Sequence, residues 1–295
     1  MQQNIKKGVG LLIASAFFFA LMSVFVRLSG DLPFFQKALF RNSVSLVVAF
    51  LALEKNDSMK IPRESFTPLA CRSIFGSLGL FCNYYAIDRL LLANSNTLSK
   101  LSPFYAILFS KLILKEKMSR KQFLCVLMAL AGSLFIIVPG LSQGFGFPSL
   151  VALIGGLGSG TVPVTLRVLK KRNQMSNAAI VFYFSAFSTT VALIPCLAGG
   201  WQTMTFRQGI LLLCAGASCA AAQFCMTGAY RYAAPTQISV YDSSQIVFSA
   251  LLGYLFFAQI PGITSLLAYI IIISTSLILF VVQKKEANVP EKEKG

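Results

Sequence analysis

Five charged side chains lie inside segments that are otherwise apolar, and these residues have the greatest capacity for chemistry. Lys37 and Arg41 fall in one such segment, Lys100 and Lys111 in another, and Asp242 in a third. Each charge costs about 2.5–3.5 kcal/mol even on the mildest scales for insertion into a bilayer, so such residues mark functional positions. These residue types can bind a charged molecule, pair with an opposite charge or move a proton.

Polar side chains accompany two of these charges at helical spacing. Asn96 and Lys100 are four residues apart, with Pro103 just beyond them. The segment around Asp242 has polar residues at intervals of three, three and four, which form one face of a helix: Ser239, Asp242, Gln245 and Ser249. A polar face on an apolar span must meet a cavity or a partner helix, so we expect such surroundings for both stripes.

Two hypotheses for Lys100 and Asp242 stay open from the residues alone. In the first, Lys100 and Arg41 bind an acidic group of a substrate, while Asp242 binds a cationic group or accepts a coupling proton, since removing a carboxylate from water favours its protonated form. In the second, Lys100 and Asp242 form a static ion pair. The remaining substrate-binding candidates are polar or aromatic: Asn83, Tyr84, Asn96, Gln223, Tyr241 and Gln245.

Other conspicuous residues have plainer interpretations. Lys37 and Lys111 lie near segment ends, so their ammonium groups are predicted to extend to the membrane surface. Arg72 is predicted to anchor its segment near the cytoplasmic surface. The glycine-rich run 155–160 superficially matches a phosphate-binding loop, but it lacks the preceding strand and the Lys-Ser/Thr ending of such loops. We predict that this run allows close helix packing.

The elements that must position these residues are membrane-spanning helices. Of the 295 residues, 56% are hydrophobic and only 12% are charged, and the mean hydropathy is +0.71. Apolar runs of about twenty residues recur along the chain, enough to cross a hydrocarbon core of about 30 Å. Strict alternation of apolar and polar residues is missing, so helices are favoured over a barrel. We predict an all-α integral membrane protein with ten transmembrane helices, at about 8–28, 33–53, 67–88, 91–114, 119–138, 148–169, 177–198, 207–230, 235–257 and 261–282.

The distribution of basic residues predicts the orientation of these helices. The net charge is +16. Most of the basic residues outside the predicted helices lie on one side of the membrane, in the two termini and around residues 55–63, 115–121, 170–172 and 231. The opposite ends hold only Arg27, Arg89 and Arg207. Cytoplasmic loops are enriched in Lys and Arg, so both termini are predicted to be cytoplasmic.

An internal repeat is visible when the sequence is shifted by 143 residues. Phe81-Cys82 then aligns with Phe224-Cys225, and the predicted helix boundaries fall into register. Each repeat contains five helices. Because five is odd, the two repeats must have opposite orientations in the membrane, a plan common among secondary transporters, with the substrate site at the repeat interface.

The stretch from Cys71 to Pro139 carries a family resemblance. Its recognisable pieces are Tyr85-Ala86, Ala93, Leu101-Ser102-Pro103, Glu116 before Met118-Ser119, and Ala131-Gly132. It resembles the EamA repeat of the drug/metabolite transporter superfamily. The whole chain fits two such repeats, over 8–138 and 149–282, followed by a charged cytoplasmic tail over 283–295. The resemblance implies a ten-helix transporter with a central cavity lined largely by the third, fourth, eighth and ninth helices.

The sequence departs from the family pattern at two helix ends. The second repeat has Gln259 where the family usually has Glu, and the first has Lys115-Glu116 in place of Gly-Glu. We expect both departures to affect packing rather than substrate choice. The first half also resembles a eukaryotic branch of the superfamily associated with organic anions.

A membrane-embedded enzyme and a channel are the competing classes of function. The chain contains no histidine, which removes Ser-His and Cys-His pairs and zinc sites with His ligands. Asp242 is the only acid predicted well inside a span, so a pair of intramembrane aspartates is missing. No repeated polar ring predicts a channel, and no nucleotide-binding loop predicts direct use of ATP.

We therefore predict a secondary transporter, not an enzyme, that moves a small metabolite by alternating access. The excess of basic groups at depth favours an organic anion or a zwitterion such as an amino-acid-like compound. Proton coupling through Asp242 and efflux of amines or drugs stay open. No cofactor, metal or nucleic acid is expected. The expected partners are the small-molecule substrate and the lipid bilayer, with a homodimer left open, and the short connections favour a bacterial cytoplasmic membrane.

Overall fold

The computed structural model describes residues 5–53, 61–113, 118–142, 146–172, 175–232 and 238–287, and the regular structure in these ranges is helical. A π-helical turn, Cys196–Gly200, follows the eighth α-helix, and a 3₁₀ turn, Ser239–Ser243, precedes the tenth. The α-helices are α1 Ile5–Leu28, α2 Phe34–Leu51, α3 Arg63–Arg89, α4 Leu92–Ser99, α5 Ser102–Ile113, α6 Arg120–Ser142, α7 Gly146–Arg172, α8 Asn177–Pro195, α9 Phe206–Tyr232, α10 Ser244–Phe257 and α11 Ile263–Ala287.

Seven of these helices are long and apolar enough to cross a membrane, namely α1, α2, α6, α7, α8, α9 and α11. The prediction of an all-α membrane protein is confirmed at this level. The other three predicted spans correspond to α3, to α4 with α5, and to the 3₁₀ turn with α10. These three differ from the seven long apolar helices. α3 contains polar residues, α4 and α5 are separated by a break, and α10 is only 14 residues long.

The side chains that face outward support a lipid environment. Large apolar residues such as Leu197, Phe206 and Ile263 are more than three-quarters exposed, and similar residues recur along most helices. A water-soluble protein rarely exposes contiguous apolar area on this scale. Hydrocarbon chains are therefore the natural partner of this surface.

The helices pack in pairs that join the first half of the chain to the second. α1 packs on α9, α3 on α7, α2 on α8 and α6 on α11. Between α3 and α7 the backbones touch: a Cβ added at Gly79 would lie 2.9 Å from the Gly155 carbonyl oxygen, and one at Gly158 would lie 2.7 Å from the Phe75 carbonyl oxygen. The prediction that run 155–160 serves close packing is confirmed.

Two segment boundaries differ from the sequence-based expectation. The predicted fourth helix is two pieces, because α4 ends at Ser99 and α5 begins at Ser102. At the other end of the chain, α11 continues to Ala287, into the segment predicted as a charged tail, and 288–295 lie outside the described residues. The first of these differences creates the candidate site.

Candidate functional site

The break between α4 and α5 places Lys100 at the end of a helix. The Lys100 backbone N–H donates to both the Asn96 and Thr97 carbonyl oxygens, at 3.0 and 3.1 Å, which tightens the last turn of α4. Pro103 explains why the helix stops, since its ring cannot donate a hydrogen bond and clashes with the carbonyl one turn earlier. Lys100 therefore lies at a backbone discontinuity between two short helices.

Asp242 lies at a second irregular segment. It belongs to the 3₁₀ turn Ser239–Ser243, which passes into α10 at Ser244. A 3₁₀ turn places side chains differently from an α-helix, since it has three residues per turn. As a result, the acid and the base occupy comparable positions, each at the junction of two helical pieces.

Lys100 and Asp242 form an ion pair. The distance from Lys100 Nζ to Asp242 Oδ2 is 2.6 Å, and the two side chains are 10% and 14% exposed. The other carboxylate oxygen, Asp242 Oδ1, is buried and has no hydrogen-bond partner. The pair thus retains one free acceptor that could receive a cationic or hydroxyl group, or a proton.

An amide and hydroxyl cluster lies one turn from the ion pair. Asn96 Nδ2 donates to Ser249 Oγ at 2.9 Å, and Asn96 Oδ1 accepts from Gln245 Nε2 at 3.2 Å. Ser23 Oγ, on α1, lies 3.4 Å from both polar atoms of the Asn96 amide. The cluster is buried and joins α1, α4 and α10. The two predicted polar stripes therefore face each other through Asn96 and Lys100 on one side and Asp242, Gln245 and Ser249 on the other.

Three secondary candidates have weaker connections to this site. Asn83 Oδ1 accepts a hydrogen bond from Ser95 at 3.2 Å, which ties α3 to α4 near the cluster. Gln223 is half-buried on α9, and Tyr241 is 40% exposed beside Asp242. Only Asn83 among the three makes a hydrogen bond through its side chain within the described residues.

Arg41 and Tyr84 have a different environment. Arg41 Nη1 donates to Asn42 Oδ1 at 2.6 Å, and the guanidinium lies beside Cys219 and close to Tyr84. Lys100 is not among the polar neighbours of Arg41 in the described residues. Lys100 and Arg41 therefore make no direct contact in the described residues, and their joint action on one acidic group stays a prediction.

The predictions that Lys37 and Arg72 lie at the membrane surface are wrong. Lys37 does not extend to the surface; it is fully buried and its Nζ lies 2.6 and 2.7 Å from the two carboxylate oxygens of Asp88. Arg72 is not a surface anchor, because it is 7% exposed and its guanidinium lies over the Phe184 ring at 4.1 Å. Gly76, one turn from Arg72, is the feature of the sequence that could have indicated the burial of Arg72, since a small residue there leaves room for a long side chain.

Hydrogen bonds tie the two halves of the chain together at the predicted outer end. The Gln36 side chain donates to the Gln202 carbonyl at 2.9 Å and accepts from the Gln202 N–H at 3.0 Å. Gln208 donates to the Ser29 carbonyl at 3.0 Å. Gln259 Oε1 accepts from the first N–H of α4, in accord with a packing role for this departure from the family pattern.

The described residues offer no constellation for a metal, since no group of three or more His, Cys, Asp and Glu side chains comes together there. The chemistry available is instead that of charge pairing and hydrogen bonding. An arrangement of this kind can bind a polar molecule and release it unchanged.

Comparison with known proteins gives a consistent result. The EamA-like transporter family matches residues 6–138. The chain is 30% identical over 280 residues to the pseudopaline exporter CntI of Pseudomonas aeruginosa, covering 93% of this chain and 96% of that protein. It is 23% identical over 276 residues to a riboflavin transporter of Brucella anthropi, covering 91% and 96%.

More distant similarity extends to animals and to a solved structure. Human solute carrier family 35 member G1 is 23% identical over 270 residues, covering 86% of this chain and 74% of that protein. One crystal structure superposes with a TM-score of 0.65 at 15% identity and covers 95% of this chain and 99% of its own, which shows a shared fold. This chain belongs to the EamA-type drug/metabolite transporter superfamily and is a multi-pass transporter of the cell membrane.

Proposed function

We propose that this protein is a secondary transporter that moves a small organic anion or zwitterion, such as an amino-acid-like compound, by alternating access. The Lys100–Asp242 pair carries the proposal, because it joins two discontinuous helices from opposite halves of the chain. Discontinuous helices near the middle of the membrane are the usual site of substrate binding in such transporters.

The proposed architecture is ten spans in two inverted repeats, 8–138 and 149–282, with cytoplasmic termini and a cytoplasmic tail over 283–295. The packing supports it. Exchanging the first five predicted spans with the second five converts the α1–α9 pair into the α7–α3 pair and leaves the α2–α8 and α6–α11 pairs unchanged. A twofold relation between the repeats requires this pattern.

A zwitterion matches the ion pair in charge. Its acidic group would replace Asp242 on Lys100, and its ammonium group would bind Asp242, whose Oδ1 already lacks a partner. Breaking a buried pair by removing one member costs about 3–5 kcal/mol, so an empty transporter keeps the pair closed. A substrate that supplies both charges offsets this cost and lets α4 and α10 separate as the repeats move.

The direction that we propose is export. The relative with 30% identity over nearly the whole chain is named as an exporter, which supports this choice. The hydrogen bonds between Gln36 and Gln202 and between Ser29 and Gln208 join the two halves at the predicted outer end, which supports a conformation closed on that side. A substrate would therefore enter this conformation from the cytoplasmic side.

Proteoliposome transport tests the proposal. Purified protein is reconstituted and offered amino acids, organic acids, nucleosides and quaternary amines, with Lys100→Met and Asp242→Asn as variants. Lys111→Met is the matched control, because Lys111 is exposed on α5. We expect transport of an anion or zwitterion, its loss in Lys100→Met and full activity in the control. Transport that survives Lys100→Met would overturn the assignment of the site.

Two further outcomes separate the open alternatives. Cation transport that is lost only in Asp242→Asn would replace the anion assignment with efflux of amines. Transport by Asp242→Asn that still responds fully to an imposed pH gradient would exclude Asp242 as the residue that couples transport to protons.

A further inference from the structure

A second group of buried charges lies between α2, α3, α8 and α9. Arg41 is 5% exposed near the middle of α2, and Arg72 is 7% exposed in the first half of α3. The two helices that carry them pack on each other, and both pack on α8. Neither arginine forms an ion pair, since the two ion pairs in the described part of the chain are Lys37–Asp88 and Lys100–Asp242.

The surroundings of Arg41 leave its charge uncompensated. Arg41 Nη1 donates to the amide oxygen of Asn42, and Cys219 and Tyr84 are the other polar neighbours of the guanidinium in the described residues. Amide, thiol and phenol groups are neutral hydrogen-bonding partners and carry no counter-charge. Arg41 Nε is buried and makes no hydrogen bond at all.

The surroundings of Arg72 hold its guanidinium in place without neutralising it. One face lies over the Phe184 ring, and the absence of a side chain at Gly76 provides the room, because a Cβ there would collide with Arg72 Nη1. Arg72 Nε is also buried without a partner. The side chain is therefore packed in a defined position with unused donors.

Further unused hydrogen-bonding atoms belong to neighbouring positions on the same elements. Asn42 Nδ2 and Tyr84 Oη are buried without partners, as is Ser45 Oγ, one turn from Arg41. Thr189 Oγ1 on α8 is in the same state. Each of these groups can donate a hydrogen bond. Buried polar groups in proteins are nearly always paired, so unpaired donors on the helices that surround two unneutralised cations support a missing acceptor.

We propose that Arg41 and Arg72, with Asn42 and Tyr84, form a binding site for a carboxylate group of the transported molecule. The fork of a guanidinium matches the two oxygens of a carboxylate, which is the usual partner of buried arginine. The site is separate from the Lys100–Asp242 pair. The cargo class is thus a compound with a carboxylate in addition to the charged groups that exchange with that pair.

The predicted repeat supports a ligand role for these arginines. A shift of 143 residues aligns Arg41 with Phe184 and Arg72 with Ala215, so the second repeat has no counterpart of either cation. Both arginines are therefore found in one copy only, and Arg72 stacks on the residue equivalent to Arg41.

Binding to the purified full-length protein tests the site without any transport step. Sodium acetate, succinate and citrate are titrated at constant ionic strength, with thermal stability as the readout, because a ligand that binds only the folded state stabilises it. The variants are Arg41→Gln and Arg72→Gln, and Lys111→Met is the control because it removes a cation that is exposed on α5, outside both buried charge clusters. We expect saturable stabilisation by at least one carboxylate, a tenfold or larger rise in Kd in both arginine variants and less than a twofold change in the control.

A second variant guards against misfolding of the first two. Gly76→Ala keeps both arginines but removes the space beside the Arg72 guanidinium, so we expect it to weaken carboxylate binding as well. Wild-type binding in Arg41→Gln and Arg72→Gln, or no carboxylate response in the wild-type protein, would overturn the proposal.

Inorganic anions can also bind to a pair of arginines, and two further measurements distinguish them from carboxylates. Chloride and phosphate are titrated in the same way, and transport by Arg72→Gln is measured in proteoliposomes. Stabilisation by phosphate or chloride alone, with transport unchanged in Arg72→Gln, would overturn the cargo assignment. The assignment of the cargo rests on the proposed transport function, whereas the binding measurement in detergent tests the site alone. Carboxylate binding without any transport would contradict the transport proposal and still support the binding site.

Discussion

The two buried charge clusters of this protein differ in how their charges are balanced. Lys100 has a carboxylate 2.6 Å from its ammonium group, and a hydrogen-bonded cluster around Asn96 supports the pair. Arg41 and Arg72 have only neutral neighbours and several unused donors. The first cluster is complete without a ligand except for one carboxylate oxygen, whereas the second lacks an anion. The difference suggests that the first controls movement and that the second selects the cargo.

The largest expected effect is at the paired cluster. Lys100→Met would leave Asp242 buried without its cation, and we expect the free energy of unfolding to fall by about 3 kcal/mol. Chemical unfolding in detergent measures this loss. The double variant Lys100→Met/Asp242→Leu should regain most of the stability. Equal stability of the single variant and the wild type would show that the pair is solvated and would remove the contrast between the clusters.

The unpaired cluster should respond in the opposite direction. Arg72→Met removes an uncompensated charge and keeps most of the apolar packing over Phe184, so we expect the ligand-free protein to gain about 1 kcal/mol. The same unfolding measurement gives the sign. A loss as large as that of Lys100→Met would mean that Arg72 is already neutralised, and the case for an absent anion would fail.

The neutral cluster beside the ion pair should show an intermediate effect. Asn96→Ala removes the bonds to Ser249 and Gln245 and leaves their polar groups buried, at a cost of about 1–2 kcal/mol. Ser249→Ala is the matched control and should cost less, since it leaves the bond between Asn96 and Gln245 in place. If the two variants cost the same, the amide of Asn96 does not organise the cluster.

The smallest effect is expected at the start of α4. Gln259→Glu restores the residue usual in the family and keeps an oxygen that accepts from the first N–H of the helix. A carboxylate at a helix N-terminus contributes about 0.3–1 kcal/mol, so we expect a slight rise in thermal midpoint. A large change in substrate preference would show that Gln259 does more than cap the helix that carries Lys100.

The paired cluster was predictable from the sequence because its members follow local rules. Asn96 and Lys100 are one turn apart, the residues around Asp242 follow a helical period, and the repeat aligns position 99 with 242. Pro103 also predicts a kink. The ion pair itself was one of two hypotheses that the sequence left open, because neither the 3₁₀ turn at Asp242 nor the end of α4 at Ser99 can be read from residue spacing.

The arginine cluster was only partly predictable for a different physical reason. Arg41 is conspicuous as a charge in an apolar segment, but the role of Arg72 depends on which face of α3 meets α8. That facing is set by packing between helices far apart in sequence. Lys37 was misjudged in the same way, because its partner Asp88 lies 51 residues away on another helix. Residue type and spacing indicate that a charge is costly, but not which neighbour relieves the cost.

The lack of a side chain at Gly76 has a consequence for evolution among related transporters. A methyl group at this position would collide with Nη1 of Arg72 and would force the guanidinium to shift from its place over Phe184. The two positions should therefore covary across homologues: chains with arginine at the equivalent of 72 should keep glycine at 76, and chains with alanine there should have lost the arginine. In a survey of aligned homologues, the residues at these two positions would then separate chains expected to bind a carboxylate-bearing cargo from chains that are not.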